Sequence, residues 1–140
     1  TEGGLDVIGQ FDSIRDAYEQ LANSKIRVSL FIDPDFNQID AAAETGVPVI
    51  ELHTGAFADA TMEREELELQ KIIDSAKYAS EKGLIVNAGH GLNYENVAPV
   101  AKINEIIELN IGHSIISYAS IVGLKRAIHE MIKLIINARG

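Results

Sequence analysis

The chain has 140 residues, of which 46% are hydrophobic, and it carries a formal net charge of −9 with a sequence pI of about 4.8. This length and apolar content suit one domain with a core of its own. The acidic balance disfavours a nucleic-acid partner, because phosphate backbones are bound by clustered Lys and Arg side chains.

The sequence contains no cysteine, which excludes disulfides and thiolate metal sites, and a cytoplasmic location is therefore expected. No apolar run in the sequence approaches the roughly 20 residues of a membrane-spanning helix, so no membrane partner is expected. The first ten residues, "TEGGLDVIGQ", are acidic and rich in glycine, unlike a signal peptide.

Helix-like and strand-like segments alternate along the chain. Apolar residues at helical spacing predict helices over 9–26, 34–45, 63–82, 93–103 and, as one long final helix, 114–139. Short runs rich in β-branched residues predict strands over 27–33, 47–53, 84–89 and 106–112.

Local signals define several of these boundaries. Asp33 is expected to cap the second helix, with Pro34 at its first position and Gly46 just beyond its end. Asn93 is expected to cap the fourth, and residues 54–63 are expected to form a loop. The final helix would present one apolar face made of Leu124, Ile128, Met131, Ile132 and Ile135.

The alternation of strands and helices implies parallel strands joined by right-handed crossovers. Two architectures fit this pattern: a small open α/β sheet, and part of a (β/α)8 barrel, which needs roughly 200 residues or more. Length alone favours the open sheet. In both architectures, ligands bind at the carboxyl ends of the strands.

Three of the four histidines stand at those ends: His53, His90 and His113. The fourth, His129, lies in the final helix and is expected to be a surface or packing residue. His90 stands between two glycines in "VNAGHGLNYENV" and is either a turn residue or a general acid or base in a cleft. Histidine suits proton transfer at neutral pH.

Glu51 interrupts the apolar strand "VPVIELH", where a carboxylate is costly to bury unless it is paired or functional. It should point to the same side as His53, because side chains alternate along a strand. The alternatives are a carboxylate on an edge strand facing water and, for His53, a packed, hydrogen-bonded ring. Gly112 and His113 precede a helix and form either a phosphate-binding turn or a plain turn.

Three histidines and Glu51 offer zinc-type ligands, but no short-spaced ligand motif joins them, so no metal site is predicted. The P-loop, the dinucleotide-binding G-x-G-x-x-G pattern and the G-x-S-x-G serine elbow are absent from the sequence.

Five stretches, taken together and in order, resemble the pyridoxine 5′-phosphate synthase family over nearly the whole chain: "TEGGLDV", "VSLFIDPD", "IELHTGAFADA", "VNAGHGLNYENV" and "ELNIGHSII". The resemblance implies a (β/α)8 barrel that assembles as a homo-octamer and requires no cofactor or metal. It implies the condensation of two phosphorylated substrates, 1-deoxy-D-xylulose 5-phosphate and 3-amino-2-oxopropyl phosphate. The products are pyridoxine 5′-phosphate, phosphate and water.

The resemblance also implies catalytic roles for two residues. The histidine of "AGHG", His90, is similar to the proton donor of the family. The glutamate of "IELHTG", Glu51, resembles a residue that stabilises a charged transition state.

Four further residues resemble substrate-binding positions. Gly91, Gly112 and His113 match contacts to the aminoketone phosphate. Thr1, beside "EGG", matches a threonine that binds the deoxyxylulose phosphate. Tyr118 departs from the family, whose members often carry arginine there.

The resemblance further implies that residues 1–140 are the C-terminal portion of a single TIM-barrel domain, supplying strands 5–8 and helices 4–8. Alone, such a piece is expected to be inactive and unstable as a monomer, because it would expose sheet edges. Two alternatives stay open: another barrel enzyme that acts on phosphosugars, and a non-enzymatic open α/β binding module.

Overall fold

Four parallel strands form one sheet in the computed structural model, which describes residues 3–140. The strands are β1 (Ser29–Ile32), β2 (Val49–His53), β3 (Ile85–Gly89) and β4 (Ile106–Asn110). The helices are α1 (Phe11–Asn23), α2 (Phe36–Thr45), α3 (Gly55–Ala58), α4 (Met62–Glu81), α5 (Val97–Ala101), α6 (His113–Val122) and α7 (Leu124–Arg139). Thr1, an expected substrate-binding residue, lies outside the described residues.

The strands lie side by side in the order in which they follow along the chain, β1-β2-β3-β4. Because crossovers between parallel strands are right-handed, a sheet in strict chain order carries its connecting helices on one face. A doubly wound sheet instead reverses its strand order at a switch point. The described chain is therefore an α/β fold with a four-stranded parallel sheet, consistent with part of a (β/α)8 barrel.

Side chains along β1, β2 and β3 largely alternate between an apolar core and a polar face, and a register shift between β3 and β4 interrupts the pattern in β4. The core members are Leu30, Ile32, Ile50, Leu52, Val86, Ala88 and Ile106, packed with helix residues such as Ile39, Ala42, Ile72, Ala76 and Val100. The intervening positions carry Phe31, Glu51, His53, Asn87 and Gly89. One face of the sheet is therefore apolar and packs against helices, and the other face carries polar groups.

The helix boundaries correct several expectations, among them the cap of α5, whose N-cap residue is Asn96 rather than Asn93. Asp35, rather than Asp33, caps α2: its Oδ1 accepts a hydrogen bond of 3.0 Å from the backbone N–H of Gln38. Asp33 lies two residues before that cap and is free for other partners. Gly46 does end α2, with φ of 87°. Within the expected loop 54–63, residues Gly55–Ala58 form the single turn of α3.

The predicted long final helix is two helices. The break falls at Gly123, whose φ of 86° and ψ of 148° are closed to other residue types and incompatible with a continuous helix. Much of the predicted apolar face of this region is exposed: Met131 is buried, but Leu124, Ile128 and Ile132 are 52%, 40% and 49% exposed. The physical reason is that no element of residues 3–140 covers Leu124, Ile128 and Ile132, whereas Met131 is packed inside.

Among the described residues, no helix combines the length and the apolar character that crossing a bilayer would require.

Candidate active site

A cleft of about 640 Å³ opens where the strands end. Five of the six predicted site residues line it: Glu51, His90, Gly91, Gly112 and His113. They come from three different strand ends, which parallel pairing places at one edge of the sheet. The structure therefore brings together residues that are separated by as many as 62 positions in the chain, from 51 to 113.

Glu51 lies in β2, between two other strands, so it is not an edge-strand carboxylate facing water. Its Oε2 accepts a hydrogen bond of 2.8 Å from the side-chain amide of Asn110 at the end of β4. Gly89 stands between these residues: a Cβ there would lie 2.5 Å from Oε1 of Glu51 and 2.8 Å from the carbonyl oxygen of Asn110. Only glycine lets the carboxylate cross β3 to reach β4.

Burial raises the pKa of Glu51 above its ordinary value of 4.5, and the nearby negative charge of Glu108 raises it further. The hydrogen bond from Asn110 opposes this by stabilising the charged form. The outcome is a carboxyl group that holds a proton more readily than a surface glutamate, as a group engaged in proton transfer or charge stabilisation requires.

Glu51 shares a row of polar side chains with Asn87 and Glu108, one level below the row that holds Gly89 and Asn110. Asn87 pairs in register with Glu51 on one side and with Glu108 on the other. Its amide nitrogen donates a hydrogen bond of 3.3 Å to Glu108. Its Oδ1 is buried and has no hydrogen-bond partner among the described residues. This acceptor is available to a group that enters from the polar face of the sheet.

His90 follows β3 directly and has a φ of 83°, which is rare for a residue other than glycine. Thr54 holds the chain in this conformation. Its backbone N–H donates to the carbonyl of Gly89 at 2.8 Å, and its buried hydroxyl lies 2.7 Å from the Gly89 carbonyl and 2.5 Å from that of His90. The backbone of His90 is thus fixed while the residue itself stays exposed.

Gly91 continues the left-handed turn with a φ of 76°. A Cβ at this position would lie 2.5 Å from the Cβ of Ala58 in α3, so the turn also packs too closely for a side chain. The next residues bring the chain back over the cleft, where the carbonyl of Leu92 accepts a hydrogen bond of 2.8 Å from the hydroxyl of Ser114. This bond ties the loop after β3 to the first turn of α6.

The N-terminus of α6 forms the other wall of the cleft. Gly112 is its N-cap residue, no side chain caps the helix, and His113 is its first residue. A Cβ on Gly112 would meet nothing within 4 Å, so the backbone here is open to the cleft. Uncapped N–H groups and the positive end of the helix dipole favour an anion such as a phosphate.

His53 and Asp33 stand on the other side of His90, in a second cleft of about 680 Å³ that His90 also lines. Nδ1 of His53 lies 3.1 Å from Oδ1 of Asp33. The rings of His53 and His90 are 4.7 Å apart between centroids, and Phe31 meets the ring of His53 edge-on at 5.0 Å. His90 therefore lies between the cleft that contains Asp33 and the cleft at the start of α6.

The second cleft also contains an ionic cluster on α4. Glu68 is 4% exposed and accepts hydrogen bonds of 3.0 Å from Lys71 and from Arg64. The hydrogen bond from Lys71, with the charges of Lys71 and Arg64, lowers the pKa of Glu68. Within residues 3–140, no group of three or more His, Asp or Glu side chains is arranged to hold a metal ion.

Sequence reasoning missed several residues that shape the site: Asp33, Thr54, Asn87, Gly89 and Asn110. All of them stand at or near strand ends, so the signal was present in the sequence. Their partners depend on strand register, which pairs Gly89 with Asn110 and which no local pattern reveals. The expectation that Glu51 and His53 share one side of β2 is confirmed, because the intervening Leu52 is fully buried in the core.

Comparison with known proteins identifies the family. The family model described as "Pyridoxal phosphate biosynthesis protein PdxJ" matches residues 1–137. A relative from Colwellia psychrerythraea, named pyridoxine 5′-phosphate synthase, is 57% identical over 140 residues, covering 99% of this chain and 57% of the relative. Relatives of the same name from Sulfurihydrogenibium sp. and Aliivibrio fischeri are 54% and 55% identical, over 99% of this chain and 57% and 58% of their own lengths.

The chain thus spans somewhat more than half the length of these relatives. With 137 of its 140 residues matched, the chain belongs to the PdxJ family of pyridoxal phosphate biosynthesis proteins.

Proposed function

We propose that the full-length protein is a pyridoxine 5′-phosphate synthase, which condenses 1-deoxy-D-xylulose 5-phosphate with 3-amino-2-oxopropyl phosphate. The observation that carries this proposal is the convergence of His90, Glu51 and the open start of α6 on one cleft. The names of the relatives support the same activity. Amine–ketone condensation followed by ring closure needs repeated proton transfers beside a bound phosphate, and this cleft offers groups for both.

His90 is the proposed general acid, delivering protons to leaving oxygens of the substrates. Its exposed ring and fixed backbone suit this role, because proton transfer requires a donor held within hydrogen-bond reach of the substrate. Glu51 is proposed to stabilise positive charge as the imine forms. The positive charge of the imine would attract the ionised carboxylate of Glu51. This attraction would offset the free-energy cost of partly burying that carboxylate.

Gly91, Gly112 and His113 are proposed to bind the aminoketone phosphate. Support comes from the uncapped N-terminus of α6 and from the absence of any side chain over Gly112. Backbone N–H groups bind a phosphate without net positive charge, which reconciles a phosphate ligand with a chain of net charge −9. Anchoring by phosphate would supply remote binding energy that positions the reacting carbons. A role for Thr1 at the second phosphate stays a prediction.

We further infer that the four strands serve as strands 5–8 of an eight-stranded barrel. The chain-order sheet supports this, as do the polar face opposite the core and the coverage of 57% of the relatives' length. In the described residues, β1 and β4 each pair with one neighbour only, and β4 exposes Ile107 at 63%. The octameric assembly and the cytoplasmic location implied by the family resemblance stay predictions.

Steady-state kinetics of the full-length protein with the two named substrates test the proposal. We expect His90→Asn to lower kcat by about 10²–10⁴-fold, the usual contribution of a general acid, with little change in KM. His129→Asn is the matched control, because His129 lies exposed on α7, away from the cleft. Near-normal turnover by His90→Asn, or no turnover by the unmodified protein, would rule the proposal out.

Borohydride trapping and the same turnover assay separate the alternatives. A Schiff-base aldolase needs a strand lysine, and the four described strands carry none, so borohydride trapping should fail. A non-enzymatic binding module would bind phosphorylated ligands without converting them.

A further inference from the structure

One ring nitrogen of His53, Nε2, is buried without a hydrogen-bond partner among the described residues. A buried polar atom left unpaired costs about 1–3 kcal/mol, so native proteins rarely keep one without a purpose. The side chain of His53 is only 11% exposed, so solvent does not satisfy this nitrogen from outside.

Asp33 determines whether Nε2 of His53 donates or accepts a hydrogen bond. Of the described residues, Asp33 is the carboxylate at ion-pair distance from His53, 3.1 Å from Nδ1. Asp33 is itself anchored, since the backbone N–H of Gly4 donates a hydrogen bond of 3.1 Å to the same oxygen. A negative charge beside Nδ1 draws the ring proton to that nitrogen, and Nε2 then carries the lone pair of a neutral imidazole.

Gly55 shows that the free nitrogen and the ring of His90 approach the same point. A Cβ on Gly55 would lie 2.9 Å from Nε2 of His53 and 3.1 Å from Cδ2 of His90. The missing side chain therefore leaves room for both rings. A half-turn of the His90 ring about its Cβ–Cγ bond exchanges Cδ2 for Nδ1 and brings a ring N–H to the side of the acceptor.

We propose that Asp33 and His53 are positioning residues for His90, with Nε2 of His53 accepting a hydrogen bond from Nδ1–H of the turned His90 ring. In that arrangement His90, as an imidazolium, keeps its Nδ1 proton and gives its Nε2 proton to a leaving oxygen of the substrate. No further reactant is needed, because one N–H bond breaks and one O–H bond forms. The catalytic part of this proposal rests on the proposed function.

Other charged groups in the second cleft do not compete for His53. Glu68 is occupied by Lys71 and Arg64. Asp59, which also lines this cleft, is exposed and makes no ion pair with a described residue. Asp59→Asn is thus a matched control for Asp33→Asn, because it removes one carboxylate from the same cleft without touching His53.

Two measurements on the full-length protein test the proposal. Long-range ¹H–¹⁵N imidazole spectra report which nitrogen of His53 carries the proton. We expect the Nδ1–H form in the unmodified protein and in Asp59→Asn, and a mixture or the other form in Asp33→Asn. For turnover, Asp33→Asn and His53→Gln should each lower kcat by about 10–100-fold, the usual loss when a supporting partner is removed, with KM within about twofold.

Gly55→Ala is a second variant, because it keeps both Asp33 and His53 in the sequence while its Cβ, 2.9 Å from Nε2 of His53 and 3.1 Å from Cδ2 of His90, pushes the two rings apart. It should lower kcat and leave the His53 tautomer unchanged. A proton on Nε2 of His53 in the unmodified protein would overturn the proposal. So would a kcat that stays normal in both Asp33→Asn and His53→Gln. If the unmodified protein lacked synthase turnover, the proposed function and its catalytic extension would both fail, while the spectra would still decide the Asp33–His53 pair.

Discussion

Replacing Gly89 by alanine tests the geometry that brings Glu51 to β4. The new Cβ would lie 2.5 Å from the Glu51 carboxylate and 2.8 Å from the Asn110 carbonyl, both well below the 3.4 Å where ordinary contact begins. The carboxylate can swing aside, but it then loses its 2.8 Å hydrogen bond from Asn110, worth about 1 kcal/mol. The carbonyl belongs to the sheet backbone and cannot move cheaply, which adds about 1–3 kcal/mol of overpacking strain.

We therefore expect Gly89→Ala to lower the free energy of unfolding of the full-length protein by about 2–4 kcal/mol, measured by urea denaturation. Gly3→Ala is the control, because a Cβ on Gly3 meets nothing within 4 Å. The reasoning also predicts lower kcat for Gly89→Ala, since Glu51 is displaced. Unchanged stability and turnover would refute the argument that the Glu51 side chain crosses over Gly89.

Three further predictions concern single contacts. Thr54→Val should destabilise the protein by about 1–3 kcal/mol in urea denaturation, because the carbonyls of Gly89 and His90 lose their buried hydroxyl donor; a neutral effect would contradict this. The raised pKa of Glu51 means that its protonated form favours the fold, a contribution complete at low pH and lost as pH rises through the raised pKa. Glu51→Gln should therefore gain stability relative to the unmodified protein as pH rises from the ordinary pKa of 4.5 through the raised pKa of Glu51, and a difference independent of pH would count against it. Asp35→Ala should cost about 1 kcal/mol of stability by removing the cap of α2, as seen in the midpoint of thermal unfolding, and no loss would argue against that cap.

Much of the fold follows from patterns in the sequence. The four strands and α4 were predicted within about two residues, because their apolar residues recur with the period of the element that they form. Errors fall where two nearby residues compete for one local role. Asp33 and Asp35 are both suitable caps, and tertiary contacts of Asp33 with Gly4 and His53 decide between them. The break at Gly123 was missed because the apolar period continues across it.

The residues of the site were predictable as a set, since parallel strands bring their carboxyl ends together. Their pairings were not, because register couples residues far apart in the chain. Glu51 and Asn110 are 59 positions apart and meet only because Gly89 lies between them. The orphan Nε2 of His53 likewise depends on which oxygen reaches Nδ1, which no spacing within one strand can indicate.

The energetically unfavourable features of this molecule lie on one face of the sheet. His90 is held at positive φ, which costs about 1–3 kcal/mol, and Glu51 pays for partial desolvation. Both lie on or beyond the polar face, while the core residues between them in sequence, such as Leu52 and Ala88, are fully buried among the helices. Alternation along β2 and β3 therefore places side chains that stabilise the core on one face and side chains of the candidate site on the other. Substitutions in the core should consequently change stability with little effect on the chemistry, whereas substitutions at Thr54 should change both, because its buried hydroxyl contacts the backbone carbonyls of Gly89 and His90.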